Sequence, residues 1–531
     1  MASLGTTTLT SLVLVTLFVL GASSSQHNTD FLECLIDQFE RSNSATNVIF
    51  TPQNASYASL LVTENLRPAS TSPERPSMII TPFHESEIQA AIFCSKKVDM
   101  QIRVRSGGHD YEGLSYTSRS NPFVVLDMRN FRSVWIEDDE KTVWVQVGAT
   151  LGQLYRTLAL RSKTIAVSAG VCPTVGVGGL FSGGGYGMMS RRHSIAADQI
   201  VDAILINADG RILNRESMGD DLFWAVRGGG GVSFGIIIAF KVKVVAIPKT
   251  VTVFNVTRTL EENATRLVHR WQYVAHKVDR NLLIRLSLRS VRSPNGQNRT
   301  INAIFFALYL GPVSDLMPLM QNEFPELGLV EQDYIEMSWI ESILYFQGRF
   351  GQPLDVLLSR TPRATMYIKA KSDFVTQPIP INGLRGIWSF LHEEAEDMAE
   401  VQFSPYGGAM DDLLESETPF PHRAGNIFMV HYMVTWLRPG NEELQRHLDW
   451  IRRLYAYMTP YVTSSPRSAY FNYKDLDLGS NNPGNTSYKQ ASVWGRRYFK
   501  GNFDRLVRVK SKFDPSNFFR NEQSIPPVRA R

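Results

Sequence analysis

Apolar and polar positions alternate along this chain in two distinct rhythms. From Pro76 short apolar runs trade places with helical spacing: a strand at Met78 to Ile80, a helix over Glu85 to Lys97, and a strand from Gln101 to Arg105. Strands at Phe123 to Asp127 and Thr142 to Val147 follow, then a helix beginning near Leu151 and a strand from Ile200 to Asn207 closed by Ala208-Asp209-Gly210. A hydrophobic strand from Gly235 to Val245 ends at Pro248, and upstream of all these Phe31 to Ser42 reads as a short helix. Between about 250 and 455 the pattern changes. Strands rich in β-branched and aromatic residues (Val251 to Val256, Ile301 to Leu310, Ile427 to Trp436) are separated by helical stretches such as Glu262 to Val278 and Leu384 to Asp397. This predicts an α+β fold in which an antiparallel sheet is backed by helices. Glycine-rich signals return only at Tyr470 to Gly479, so residues 26–248 and 455–531 are expected to form one domain, with 249–454 inserted as a second. A length of 531 residues exceeds what one core serves.

Composition adds a compartment. The apolar run Leu12 to Leu20, followed by Gly21-Ala22-Ser23-Ser24-Ser25, reads as a cleavable secretory leader over residues 1–25, too short to anchor the chain in a bilayer. Asn-x-Ser/Thr sequons at Asn54, Asn255, Asn263, Asn298 and Asn485 fit N-glycosylation on that route. A formal charge of +4, with no basic run, argues against nucleic acid as a partner. No metal site is expected, and a monomer is. Of three cysteines, Cys34 and Cys94 lie in helix-like apolar contexts and are expected to form a disulfide, which leaves Cys172 as an odd thiol in an oxidising compartment.

Two glycine-dense loops carry the chemistry. Ser106-Gly107-Gly108 follows a strand, and its successive N–H groups can cradle a pyrophosphate. Val175 to Gly187 holds seven glycines in thirteen residues, more backbone freedom than a packed core needs. The strings Arg103-Val104-Arg105-Ser106-Gly107-Gly108-His109-Asp110-Tyr111-Glu112-Gly113, Gly170-Val171-Cys172-Pro173-Thr174-Val175-Gly176, Asn472-Tyr473-Lys474-Asp475-Leu476-Asp477 and Asp514-Pro515-Ser516-Asn517-Phe518-Phe519 resemble the berberine bridge enzyme-like family of plant FAD-linked oxidases. The resemblance spans nearly the whole mature chain. It implies a vanillyl-alcohol-oxidase-type fold: a two-part FAD-binding domain with an inserted substrate domain, whose sheet lies over the flavin.

Carried over residue by residue, the resemblance implies FAD bound covalently through His109 and Cys172, which accounts for the odd cysteine. Ser106, Gly107, Gly108, Val175, Gly176, Gly178, Gly179, Leu180, Gly183, Gly184, Gly187 and Asn472 would line the cofactor. Tyr111, Tyr186 and Tyr473 match active-site tyrosines, the alternative for each being a packed aromatic with a satisfied hydroxyl. Phe471 shares a face with Tyr473 if that segment is extended. Where family members carry Glu or Gln, and often Lys, this chain has His431 and Met429; the histidine can accept a proton near neutral pH, while methionine can only pack. Leu180 replaces a usual histidine that supports negative charge on the reduced flavin. Val175, three residues after Cys172, keeps a small side chain associated with oxygen access.

The function expected is a secreted oxidase: His431 or Tyr473 removes a proton, a hydride passes to flavin N5, and O2 is reduced to hydrogen peroxide. Met429, Phe471 and the tyrosines point to an aromatic, allylic or prenylated phenolic small molecule. A sugar site wants denser polar donors, and carbohydrate oxidation is an alternative, as is the redox-neutral Diels–Alderase cyclisation for which some members of the family have been recruited.

Overall fold

The structure is a computed structural model that describes residues 26–42, 44, 46–62, 65–66, 75–119, 122–293, 298–361, 366–394, 398–482 and 486–528. The expected leader and the Asn485 sequon lie outside these residues. A helix over residues 26–41 presents Phe31, Cys34, Leu35 and Phe39 to the core, and Cys34 is bonded to Cys94 of the helix Glu85–Lys97 as expected.

Two small sheets carry the glycine loops. In the first, Gln101–Arg105 and Met78–Ile80 both pair in parallel with Phe123–Asp127, and Ile49–Phe50 adds an antiparallel edge. All five residues of Phe123–Asp127 are buried, the continuous apolar reading that a central strand covered on both faces gives. The second sheet is antiparallel in the order Ile212–Leu213, Ile200–Ile206, Ile236–Lys243, Thr142–Gln146, Val134–Ile136. The helix Leu151–Arg161 starts on a reciprocal cap, Thr150 with Gln153, which satisfies two backbone N–H groups at the turn facing the second glycine loop.

The third sheet has eight strands in the order Ile335–Met337, Val251–Arg258, Arg299–Tyr309, Leu282–Arg292, Ala399–Pro405, Phe428–Trp436, Met366–Val375, Asn65–Leu66. Its strands alternate strictly. Ile284, Leu286, Leu288, Val401, Phe403, Phe428, Val430 and Tyr432 point into a core shared with the helices Ala264–Val274, Ile381–Glu393 and Asn441–Tyr457. Arg285, Ser287, Arg289, Glu400, Gln402, Ser404, Met429 and His431 occupy the alternate positions. The antiparallel sheet backed by helices is therefore as read, although the sequence reading overlooked several of its strands. Asn65–Leu66, from the N-terminal part of the chain, extends the edge in parallel, and Asn65 Nδ2 donates to the His109 carbonyl at 2.6 Å.

A buried ion cluster joins this sheet to the C-terminal segment. Lys369 Nζ donates to Glu112 and, at 2.8 Å, to Asp475; Lys371 Nζ reaches Asp475 at 2.7 Å and Asp477 at 2.8 Å. Both lysines and Asp475 are inaccessible to solvent, so each charge depends on the others.

Candidate functional site

The two glycine loops meet backbone to backbone. A Cβ on Gly107 would lie 2.3 Å from the Gly176 nitrogen, and one on Gly176 would lie 2.2 Å from Ser106 Oγ. Glycine is required at both positions because the strands behind them, pinned by Ser106 Oγ donating to the Val147 carbonyl at 2.5 Å, bring the loops this close. The arrangement fits a flavin dinucleotide. Among the described residues the N–H groups of Gly107 and Gly108 have no hydrogen-bond acceptor, although Gly108 is buried. Unspent donors of this kind are what a pyrophosphate needs. Beside them, a Cβ on Gly179 would meet nothing within 4 Å.

Cys172 is half-buried next to this junction, with Sγ 3.3 Å from Thr174 Oγ1, and it is close enough to Tyr111 to disfavour that phenol's ionisation. Its neighbour Val175 accepts from Leu151 N–H at 2.9 Å. Leu180 lies on the short helix Val177–Gly183, its side chain against Gly170 and Gly185 and its carbonyl accepting from Asn472 Nδ2 at 2.9 Å. Asn472 also donates to Tyr470 OH at 2.9 Å, and Gly185 N–H does so at 2.7 Å. Gly184 takes φ +140°, which a side chain would resist, and packs directly on the Tyr470 ring.

Tyr111, Tyr186, Tyr473 and His431 come together, joined by Met429. The His431 ring stacks on Tyr473 with centroids 4.0 Å apart, and Tyr111 is 5.6 Å from each. Met429 packs in the same aromatic group with Tyr186, Tyr470 and Tyr473. The Tyr186 and Tyr473 hydroxyls share a short hydrogen bond. Arg285 Nη2 donates to Tyr186 OH at 3.2 Å and to Gln402 Oε1. Gln402 Nε2 passes the chain on to Glu400 at 2.7 Å, and Glu400 also receives Ser287 Oγ at 2.5 Å and Arg289 Nη2 at 2.8 Å.

Two expectations meet an unfavourable setting. The His431 ring is 3% exposed, and neither ring nitrogen has a hydrogen-bond partner among the described residues, which disfavours its protonated form. Burial, with Arg285 adding repulsion, pushes its pKa down to about 3. Phe471 does not share a face with Tyr473, because residues 470–473 form a turn, with Tyr473 N–H bonded to the Tyr470 carbonyl at 2.9 Å. Phe471 packs instead on Phe499 at 4.9 Å and Tyr498 at 5.4 Å, and the ring beside Tyr473 is that of Tyr470, with centroids 5.1 Å apart. Arg285, Gln402 and Tyr470 were absent from the sequence reading. A polar residue every second position in Ile284-Arg285-Leu286-Ser287-Leu288-Arg289 and Ala399-Glu400-Val401-Gln402-Phe403-Ser404 is the signal that could have found the first two.

The electrostatics separate the phenols from the imidazole. Burial raises the Tyr473 pKa well above the ordinary phenol value, with Tyr186 and Tyr111 reinforcing it and Arg285 opposing. Burial disfavours the Arg285 charge, but Tyr186, Tyr473 and Glu400 outweigh it, and the guanidinium stays protonated. The site therefore holds one cation facing a pair of coupled hydroxyls, an arrangement suited to sharing the charge of a phenolate.

Residues 76–215 match the family described as FAD binding domain, and residues 469–526 match the one described as berberine and berberine like. A tetrahydroberberine oxidase from Berberis wilsoniae is 48% identical over 515 residues, covering 95% of each chain. A monolignol oxidoreductase from Arabidopsis thaliana is 44% identical over 525 residues, 98% of this chain and 97% of that one. Among solved structures, a grass pollen allergen with glucose dehydrogenase activity superposes with a TM-score of 0.88 at 42% identity, over 94% of this chain and 100% of that one. With likeness of this extent across both the glycine loops and the C-terminal tyrosine segment, the chain belongs to the berberine bridge enzyme-like family of FAD-linked oxidoreductases, on the vanillyl-alcohol-oxidase type of α+β fold.

Proposed function

We propose that the protein oxidises a hydroxylated aromatic, allylic or prenylated phenolic metabolite, with Tyr473 as the base, and that it does so in the secretory pathway or outside the cell. Ser106 to Gly108 and Gly176 to Gly179 would hold FAD, with His109 and Cys172 as its covalent tethers, and the bound flavin would supply a hydride acceptor that O2 reoxidises with formation of hydrogen peroxide. Residues 26–248 with 455–531 serve as the cofactor domain and 249–454 as the substrate domain.

Tyr473 takes the substrate O–H proton in its phenolate form, which burial, Tyr186 and Tyr111 make a minor one at neutral pH. The Arg285 guanidinium, reached through the Tyr186 hydroxyl, opposes them and lowers the cost of that charge in a dry site. Tyr111 and the neutral His431 ring flank Tyr473 and offer flat apolar surface, and Met429 adapts to an irregular ligand. The observation that carries the reading is the unbroken chain Tyr473–Tyr186–Arg285. The glucose dehydrogenase activity of one structural relative supports a second reading, a sugar substrate. The aromatic lining favours the first.

Replacing Tyr473 by Phe removes the base while keeping the ring. The rate of substrate-dependent flavin reduction should fall by about 10²–10⁴-fold with little change in substrate affinity. A Tyr473→Phe enzyme that is fully flavinylated and turns over at the parental rate would contradict the assignment.

A further inference from the structure

Beside Arg285 lies a small cavity of about 10 Å³. Its lining includes Tyr186, Arg285, Ser404 and Tyr406, together with Leu283 and Met410. That volume is the lower bound for a single water. Three of the lining residues carry polar atoms that are buried and have no partner among the described residues: Arg285 Nε, Ser404 Oγ and Tyr406 OH. Ser404 is 4% exposed and Tyr406 3%. A donor stranded on a buried guanidinium and two stranded hydroxyls among the residues lining one cavity cost free energy unless something bridges them, and a water needs two to four such partners.

We infer that this cavity is a built water site, and that the water, held by Ser404 and Tyr406 and accepting from Arg285 Nε–H, fixes the guanidinium in the orientation that serves Tyr186. Ser404 and Tyr406 are then positioning residues, acting through Arg285. The local geometry explains why they can do so. Ser404 follows Gln402 by two positions on the strand Ala399–Pro405, so both side chains lie on one face. Gln402 Oε1 holds Arg285 from its Nη2 side, and the water would hold it from the Nε side. Nε and Nη2 share one edge of the planar fork, so restraints on both fix that edge and its plane, and Nη2 remains aimed at Tyr186 OH at 3.2 Å. Tyr406 is itself kept in place by an edge-on contact with Phe374, centroids 5.6 Å apart, and by its carbonyl accepting from Arg191 Nε at 3.0 Å.

This inference rests on Tyr473 being the base, and the test keeps the two apart. A high-resolution crystal structure of the flavinylated enzyme should show one ordered water within about 2.7–3.2 Å of Arg285 Nε and of at least one of the two hydroxyls. The Ser404→Ala/Tyr406→Phe double variant should lose that water. The pH midpoint of substrate-dependent flavin reduction should then rise by about half a unit, because a less well oriented Arg285 supports Tyr473 ionisation less, while KM stays near the parental value. The groups facing Tyr473 are Tyr111, Tyr186, Tyr470, His431 and Arg285; all are retained in the double variant. Ser404→Val, which fills the cavity with one methyl, should give the same shift should the double variant fold poorly. An empty cavity, or an unchanged midpoint in a variant that has lost the water, overturns the inference. If instead Tyr473→Phe keeps full activity while the water is present, the water site stands and the functional reading fails.

Discussion

Arg285 donates from one nitrogen to the Tyr186 phenol and to the Gln402 amide, and among the described residues no carboxylate touches it directly. Its charge is therefore available to the site instead of being neutralised by an ion pair. Replacing it with methionine should leave the two tyrosine hydroxyls bonded to each other but without a cation behind them. The pH at which substrate-dependent reduction reaches half its maximum should then move upward by about one unit or more, since a nearby positive charge favours the ionised phenol. A pH series of anaerobic stopped-flow traces checks this, and a downward or absent shift would contradict the charge-sharing role. What could be read of these residues in the sequence was uneven. Tyr111, Tyr186 and Tyr473 were legible because each follows a recognisable loop string. Arg285 and Gln402 were not, because they sit on strands whose pairing no local pattern announces. The environment of His431 was also out of reach. Its side of the strand follows from alternation, but its burial depends on Tyr473 arriving from a segment 42 residues further on.

At the scale of elements, the site is assembled where three separate stretches are locked together by charge. The strand Met366–Val375 supplies Lys369 and Lys371, the segment after Tyr473 supplies Asp475 and Asp477, and the loop after His109 supplies Glu112. Burial opposes ionisation of Asp475, yet Lys369 and Lys371 outweigh it and hold the carboxyl below its usual range. A depressed folded-state pKa contributes stability above the unfolded value, near 4, and that contribution is lost as pH falls through the folded value. Lys371→Met leaves Asp475 with one lysine instead of two, and should destabilise the fold by about 3–5 kcal/mol. Urea denaturation near neutral pH measures the loss, and a variant as stable as the parent would show the cluster to be dispensable. The regular strands and helices here were mostly legible from periodicity; the helix Glu85–Lys97 was placed to the residue. Phe471 was misplaced for an equally plain reason. Period-two reasoning assumes an extended chain, and a turn closes between Tyr470 and Tyr473.

At the scale of the whole molecule, the reading joins a compartment to a cofactor. Cys34 and Cys94 are bonded across a separation of 60 residues, which suits an oxidising environment. The sequon residues Asn54, Asn255, Asn263 and Asn298 are all exposed. Among the described residues no helix is long and apolar enough to cross a membrane. Cys172 remains outside the disulfide and is proposed as one of two flavin tethers. His109→Ala and Cys172→Ala should each retain FAD after acid precipitation through the other residue, and the double variant should release it. Complete loss of flavin from either single variant, seen as absent flavin fluorescence in the precipitated protein, would refute two independent attachments. The central claim is oxidation of an aromatic, allylic or prenylated phenolic substrate at the Tyr473–Tyr186–Arg285 site, and anaerobic bleaching of the bound flavin tests it most directly. Mixed with a panel of phenolic, allylic and sugar compounds in the absence of O2, the wild-type enzyme should lose its oxidised-flavin absorbance with a phenolic or allylic member, and admitting O2 should restore it with formation of hydrogen peroxide. Bleaching by sugars alone, or a flavin that stays oxidised while a substrate is converted to an isomeric or cyclised product, would contradict the account.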